Sequence, residues 1–279
     1  MGGSPTLAPV TVRLVTDTNA MLPKALRERF AIVAVPMTVV VDGVAHHEDE
    51  LDPIELCARL RAGATASTSA PSPGELLAAY EAVAAEGATA VLSVHVGSNQ
   101  SATVGAAKIA GGQASLPVTV VDTGTASFIE GCCVWRAAEA LATGAGIGEA
   151  AAMADAVAAS AASVFTIGEI DRADRGGRLR VEERKGVPVF VSAGPDMRQL
   201  GTVTTVAEAA RVMAEVVADH PGPLRVGVGD ADAEEAAVAL LAVLTGLPNV
   251  VETVRYTVGP SVAIHTGAGT VGAVFHPLS

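Results

Sequence analysis

Three stretches of this 279-residue sequence set hydroxyl, amide and glycine residues directly after an apolar run: Asp17-Thr18-Asn19, Gly97-Ser98-Asn99-Gln100-Ser101-Ala102-Thr103 and Asp122-Thr123-Gly124-Thr125. A further hydroxyl cluster, Ser67-Thr68-Ser69, precedes Pro71. Hydroxyls and unpaired backbone N–H groups are the donors that hold an anion without bringing a full charge. The second stretch leads into a helical pattern from Val104 to Ile109, and a helix start flanked by Ser101 and Thr103 is suited to a carboxylate or phosphate. The competing reading makes Ser101 a helix cap and nothing more. Two later features could add charge. Arg175-Gly176-Gly177-Arg178 places flexible backbone beside a guanidinium able to fork a carboxylate, although the same run also describes a surface turn. His265 ends the apolar run Val262-Ala263-Ile264 and reads as a histidine closing a strand at a glycine turn. A lone histidine of that kind can be structural as well as functional.

Other chemistries fail on context. Gly267-Ala268-Gly269-Thr270-Val271-Gly272 spells a dinucleotide fingerprint, but it stands too near the C-terminus for a βαβ unit to follow. The sequence has no Gly-Lys pair and so no P-loop, and it has no G-x-S-x-G, which counts against an α/β-hydrolase. His46-His47-Glu48-Asp49-Glu50 contains metal-ligand residue types, yet it follows the Asp42-Gly43 turn and reads as a solvated loop. No metal site is expected. Cys57, Cys132 and Cys133 form no C-x-x-C, which gives no zinc pattern and suits a reducing cytosol.

The scaffold that must position these residues is legible in outline. Hydrophobic residues make up 50% of the chain and charged residues 17%, enough for a substantial core, while aromatics are only 3%. The length favours two domains. In the first half, short apolar strands (Val12–Thr16, Val91–Val96, Val118–Val121) alternate with helix signals. Asp52-Pro53-Ile54-Glu55 and Ser72-Pro73-Gly74-Glu75 each combine a cap, a proline at the first helical position and a carboxylate at the third. Ile32–Val41 runs into a hairpin signal at Asp42-Gly43. The alanine-rich stretch from Ala137 to Ala162 reads as two helices broken between Gly144 and Gly148. Such alternation predicts a parallel sheet covered by helices, with ligands collecting at the carboxyl ends of its strands. After residue 158 β-branched runs dominate, at Val189–Val191, Leu224–Val228, Val250–Val258 and Val262–His265, and predict an α+β unit. The expected division is a disordered leader over 1–10, an N-terminal α/β domain over 11–158 and a C-terminal α+β domain over 159–279, with a boundary that could interleave. A net charge of -12 argues against nucleic acid and against an anionic membrane surface. No apolar run is long enough to span a bilayer, and the start lacks a signal-peptide pattern, so a cytoplasmic protein is expected.

Taken in order, these segments resemble the DegV family, which includes the fatty-acid-binding subunit of bacterial fatty acid kinase. The matching pieces are Val15-Thr16-Asp17-Thr18, Val35-Pro36-Met37, Asp49-Glu50-Leu51-Asp52, the run from Ser67 to Glu75, Ser98 to Thr103, Val121-Asp122-Thr123, Ile170-Asp171 with Arg175 to Arg178, and His265 to Gly269. The resemblance implies two α/β domains with a long-chain fatty acid buried at their interface. By position, Thr68 and Ser101 would donate to its carboxylate, with the N–H of Ala102 in support and Arg178 and His265 on the second-domain side. Ser69, Thr103, Asp17 and Thr266 would be neighbours. The chain would carry the acid rather than turn it over, with no catalytic residue and no cofactor, and would present the carboxylate to a partner kinase that forms an acyl phosphate. Three departures stand out. The family usually has Ser-Gly-Thr where Ser101-Ala102-Thr103 stands, proline at the place of Ala268, and an apolar stretch ending in Lys-Pro where Val189 to Pro195 stands. The alternatives are a lipid carrier or sensor without a kinase, and a small-acid hydrolase or transferase using Ser101 as nucleophile and His265 as base.

Overall fold

The computed structural model describes residues 11–175, 181–183, 185–193 and 196–278. The first half contains β1 (Val12–Asp17), α1 (Lys24–Arg29), β2 (Val33–Val35), β3 (Thr38–Val41), β4 (Val44–His47), α2 (Pro53–Arg61), β5 (Ala66–Ser69), α3 (Pro73–Ala85), β6 (Ala90–His95), α4 (Thr103–Gly111), β7 (Val118–Asp122), α5 (Phe128–Ala142) and α6 (Ile147–Ser160). The second half contains β8 (Ala162–Thr166), α7 (Ile170–Arg175), β9 (Val187–Ala193), β10 (Asp196–Val203), α8 (Val206–Ala218), β11 (Leu224–Asp230), α9 (Glu234–Thr245), β12 (Val250–Thr257), α10 (Pro260–Thr266) and β13 (Val271–Pro277).

Local chemistry explains most element starts. Asp52 caps α2 by accepting from the N–H groups of Ile54 and Glu55 at 2.8 and 3.0 Å. Ser72 and Glu75 form a reciprocal capping box at the start of α3. Asp42 and Gly43 both take positive φ, 51° and 84°, as the tight β3–β4 hairpin requires.

The strands assemble into three sheets. β2-β1-β6-β7 is wholly parallel, and its central strand β6 is buried along its whole length, as an apolar strand covered on both faces should be. β4-β3-β5 is a small antiparallel sheet. β10-β9-β8-β13-β11-β12 is a mixed sheet in which only β11 and β12 run parallel. One face of the six-stranded sheet packs on α8 and α9 through Val164, Val226, Val228, Met213, Leu240 and Phe275. Its opposite face looks toward α5, whose Phe128 stacks on Tyr256 of β12 at 4.2 Å. Helices α5 and α6 are sandwiched between the parallel sheet and this face, so a single core runs from Leu92 through Cys133 and Trp135 to Val274.

Two expectations are corrected. Val262–His265 is not a strand: it lies in α10, which is capped by Gly259 and has Pro260 at its first position. Three apolar residues and a histidine carry no period, so only packing decides their state. Here Ile264 is buried among Val39, Val41, Leu56 and Leu60, inside the unit built by the small antiparallel sheet. The segment 46–50 is not a solvated loop at Glu48. That side chain is buried, accepting from the backbone N–H of Ser261 at 2.7 Å and from the Thr18 hydroxyl. Among the described residues no helix is long and apolar enough to cross a membrane, and no cluster of His, Cys, Asp and Glu could hold a metal.

An interdomain cavity as candidate functional site

The loops after β1, β6 and β7 are held in place by buried polar groups. Asp17 ends β1, and its carboxylate accepts from the N–H groups of Asn19 and Val96 and pairs with His95 Nδ1 at 2.9 Å. His95 Nε2 meets Ser93 Oγ at 2.7 Å, and Ser93 meets the Tyr80 hydroxyl at 2.8 Å. All four side chains are wholly buried, so the relay fixes β1, β6 and α3 to one another. Asn19 then joins the two halves. Its amide donates to Ser261 Oγ on α10, and its carbonyl oxygen accepts from the Ser127 N–H at the start of α5. Asp122 accepts from the N–H groups of Ser98 and Gly124. Burial opposes its ionisation, but the Ser98 hydroxyl and these two N–H groups outweigh burial and hold its carboxyl below the ordinary range. The loops after β6 and β7 touch so closely that a Cβ on Gly97 would lie 2.5 Å from the Gly124 backbone, so position 97 needs glycine.

Between the parallel sheet and the six-stranded sheet lies a cavity of about 880 Å³, inside the range of roughly 300–1,000 Å³ found for small-ligand sites. Thr68 on β5, Ser101 and Ala102 before α4, and His265 on the last turn of α10 all line it, as do Ser69 and Thr266. Thr68, Ser101 and His265 are half-buried, and Ser69, Gln100 and Ala102 are exposed, so this end of the cavity opens at the surface. Thr103 stands behind Ser101, buried, with the two hydroxyls 2.8 Å apart. Asp17 does not line the cavity and is taken up by the relay to His95. Arg178 lies outside the described residues. Ala102, not Ser101, is the cap of α4, and its φ of -76° and ψ of 0° are open to any residue, so its methyl group costs the backbone nothing.

Sequence reading missed the cavity's floor. It is the inner face of the six-stranded sheet, where Ser163 and Phe165 on β8, Ser192 on β9, Gly229 on β11, Tyr256 on β12 and Gly272 and Val274 on β13 come together. The signal was present as Val226-Gly227-Val228-Gly229, because alternate glycines in a strand mark a face that something must approach closely. Added Cβ atoms would strike the Phe128 ring at 2.4 Å from Gly227 and the Tyr256 ring at 2.2 Å from Gly229. The missing side chains let the stacked rings lie flat on the sheet.

Two features of the walls carry testable consequences. Ser127 lines the cavity with φ 62° and ψ -154°, a region that favours glycine. Ser127→Gly is expected to raise stability by about 1 kcal/mol in thermal unfolding, the relief of strain exceeding the entropic cost of glycine. Glu130 on α5 is fully enclosed, accepting from the Thr16 hydroxyl at 3.2 Å. Burial first, and then the nearby Asp17 charge, push its carboxyl well above the ordinary value. A folded-state pKa above the unfolded one gives a contribution that is fully present below the unfolded pKa and is lost as pH rises through the folded pKa. Glu130→Gln is therefore expected to gain stability relative to the parent as pH rises from mildly acidic to mildly alkaline, read as the difference in urea midpoints. A constant difference across that window would show that Glu130 does not titrate there.

The comparisons agree with this architecture. The family model described as "Uncharacterised protein, DegV family COG1307" matches residues 11–278. A DegV domain-containing protein of Streptomyces coelicolor is 32% identical over 273 residues, covering 94% of this chain and 97% of that protein. One from Deinococcus radiodurans is 30% identical, covering 97% of this chain and all of that one. Among solved structures, a DegV family protein from Thermus thermophilus, described by its fatty acid binding, superposes with a TM-score of 0.87 at 29% identity, covering 96% of this chain and 100% of that one. A Thermotoga maritima protein described as revealing fatty acid binding function superposes with a TM-score of 0.87 at 27% identity, covering 97% and 100%. With a two-domain α/β fold shared over nearly its full length and relatives of matching extent, the chain belongs to the DegV family.

Proposed function

We propose that this protein binds a long-chain fatty acid in the cavity between its sheets and presents the acid's carboxylate to a partner kinase. The observation that carries the reading is the cavity's polarity. Hydroxyl and amide groups of Thr68, Ser69, Gln100 and Ser101 gather at the end open to the surface, while Val96, Ile129, Phe165, Val258 and Val274 line other parts of the wall. The likeness to DegV proteins described as binding fatty acids supports it.

The energetics are consistent. Burying ~14 methylenes at ~0.8 kcal/mol each yields roughly 11 kcal/mol gross, against association costs of about 4–15 kcal/mol. The tail supplies affinity and the head group supplies orientation. Thr68, Ser101 and the Ala102 N–H would hold one carboxylate oxygen, Arg178 would offset its charge, and His265 would donate from α10. Exposure of Ser69, Gln100 and Ala102 leaves the remaining oxygen within reach of a second protein.

The test is native mass spectrometry of protein purified without added lipid, followed by incubation with a fatty acid kinase, ATP and hydroxylamine. A co-purifying long-chain acid supports binding, and its conversion to a hydroxamate supports presentation. A ligand-free mass that palmitate does not shift would defeat the reading. Binding without hydroxamate would leave a lipid carrier or sensor.

A further inference from the structure

Two hydroxyls stand on the cavity floor where the surroundings otherwise present carbon. Ser163 on β8 and Ser192 on β9 are paired directly across the antiparallel ladder, so their side chains rise side by side from one face. The same row continues to Met197 on β10 and Val274 on β13, and the next row carries Phe165. All five line the cavity. Ser192 is 9% exposed. Neither serine hydroxyl has a hydrogen-bond partner among the described residues. Several other hydroxyls of the wall are engaged: Ser101 with Thr103, Ser261 with Asn19, Thr270 with the carbonyls of Thr266 and Gly267; Thr68 and Ser69 belong to the open, head-group end.

A saturated chain laid over this row would strip water from two hydroxyls and give nothing back, and a buried donor without a partner is unfavourable. An oxygen on the chain at that level would satisfy both, since each serine can donate and accept. We infer that Ser163 and Ser192 form a subsite for an oxygen substituent in the acyl chain, and that the ligand class is the mid-chain-oxygenated fatty acid, hydroxy or keto. The inference rests on the fatty-acid reading of the cavity and narrows it. The head-group end plays no part in the discrimination, because both ligand types carry the same carboxylate.

Competition against a fluorescent fatty acid separates the two levels. The probes are stearate and a series of monohydroxystearates with the hydroxyl moved one carbon at a time through the middle of the chain. For the parent protein, one isomer is expected to bind about tenfold more tightly than stearate, the gain of one satisfied hydrogen bond. Ser163→Ala and Ser192→Ala, singly and together, are expected to erase that preference and to tighten stearate. The single variants keep the test available if the double variant folds poorly. Parent protein that binds every isomer no better than stearate overturns the inference and leaves fatty-acid binding intact, as does a preference that survives both substitutions. Parent protein that binds neither stearate nor any isomer overturns the fatty-acid reading itself, and the inference with it.

Discussion

Alanine at both Thr68 and Ser101 is expected to weaken palmitate binding roughly a hundredfold while leaving the fold intact. A hydrogen bond from a hydroxyl to a charged group contributes about 1.5–3 kcal/mol, so each single variant should lose about tenfold or more. The two donors would share one carboxylate, so the second loss should be smaller than the first and the pair should fall short of additivity. Both residues are half-buried on the cavity wall and neither belongs to the core clusters, so thermal unfolding should shift little. Calorimetric titration with palmitate decides the matter. Parent-like affinity in the double variant would reduce Ser101 to a partner of Thr103 and Thr68 to a strand residue.

The largest effect on stability is expected from Asp17→Ala, about 3–5 kcal/mol in urea unfolding. The carboxylate is wholly buried and holds His95 at 2.9 Å together with the N–H groups of Asn19 and Val96. Removing it leaves the enclosed His95 Nδ1 without its partner and releases the turn that carries Asn19. Asp17→Asn should lose less, because an amide oxygen still accepts from the backbone. If alanine costs no more than about 1 kcal/mol, as a surface pair would, the relay does not hold the sheet together. The loss should also reach the cavity, since Asn19 fastens both Ser261 and Ser127.

Most element starts were legible because their causes are local. Asp52 and Ser72 satisfy N–H groups two and three residues ahead of them, and the Asp42-Gly43 turn depends on its own two φ angles. The same locality explains the error at Val262–His265. A run of three apolar residues ending in a histidine fits a strand or a helix equally, and the burial of Ile264 against Leu56 and Leu60 decided for a helix. Glu48 was misread for a related reason: its partners, Thr18 and Ser261, are 30 and 213 residues away.

The sequence by itself determined the alternation of strands and helices, the caps, the hairpin, and the three hydroxyl-rich segments that end β1, β6 and β7. Each follows from contacts within a few residues, and the order of the segments along the chain carried the family resemblance. Only the tertiary structure decided that β8 stands between β9 and β13, and hence that Ser163 and Ser192 lie side by side on a floor they share with Gly229 and Gly272. It also brought Thr68, Ser101 and His265, which the resemblance had grouped, around one cavity. Strand order and helix docking come from non-local burial and long-range hydrogen bonds such as Asn19 to Ser261, across 242 residues, and no local pattern records which distant partner a side chain will meet.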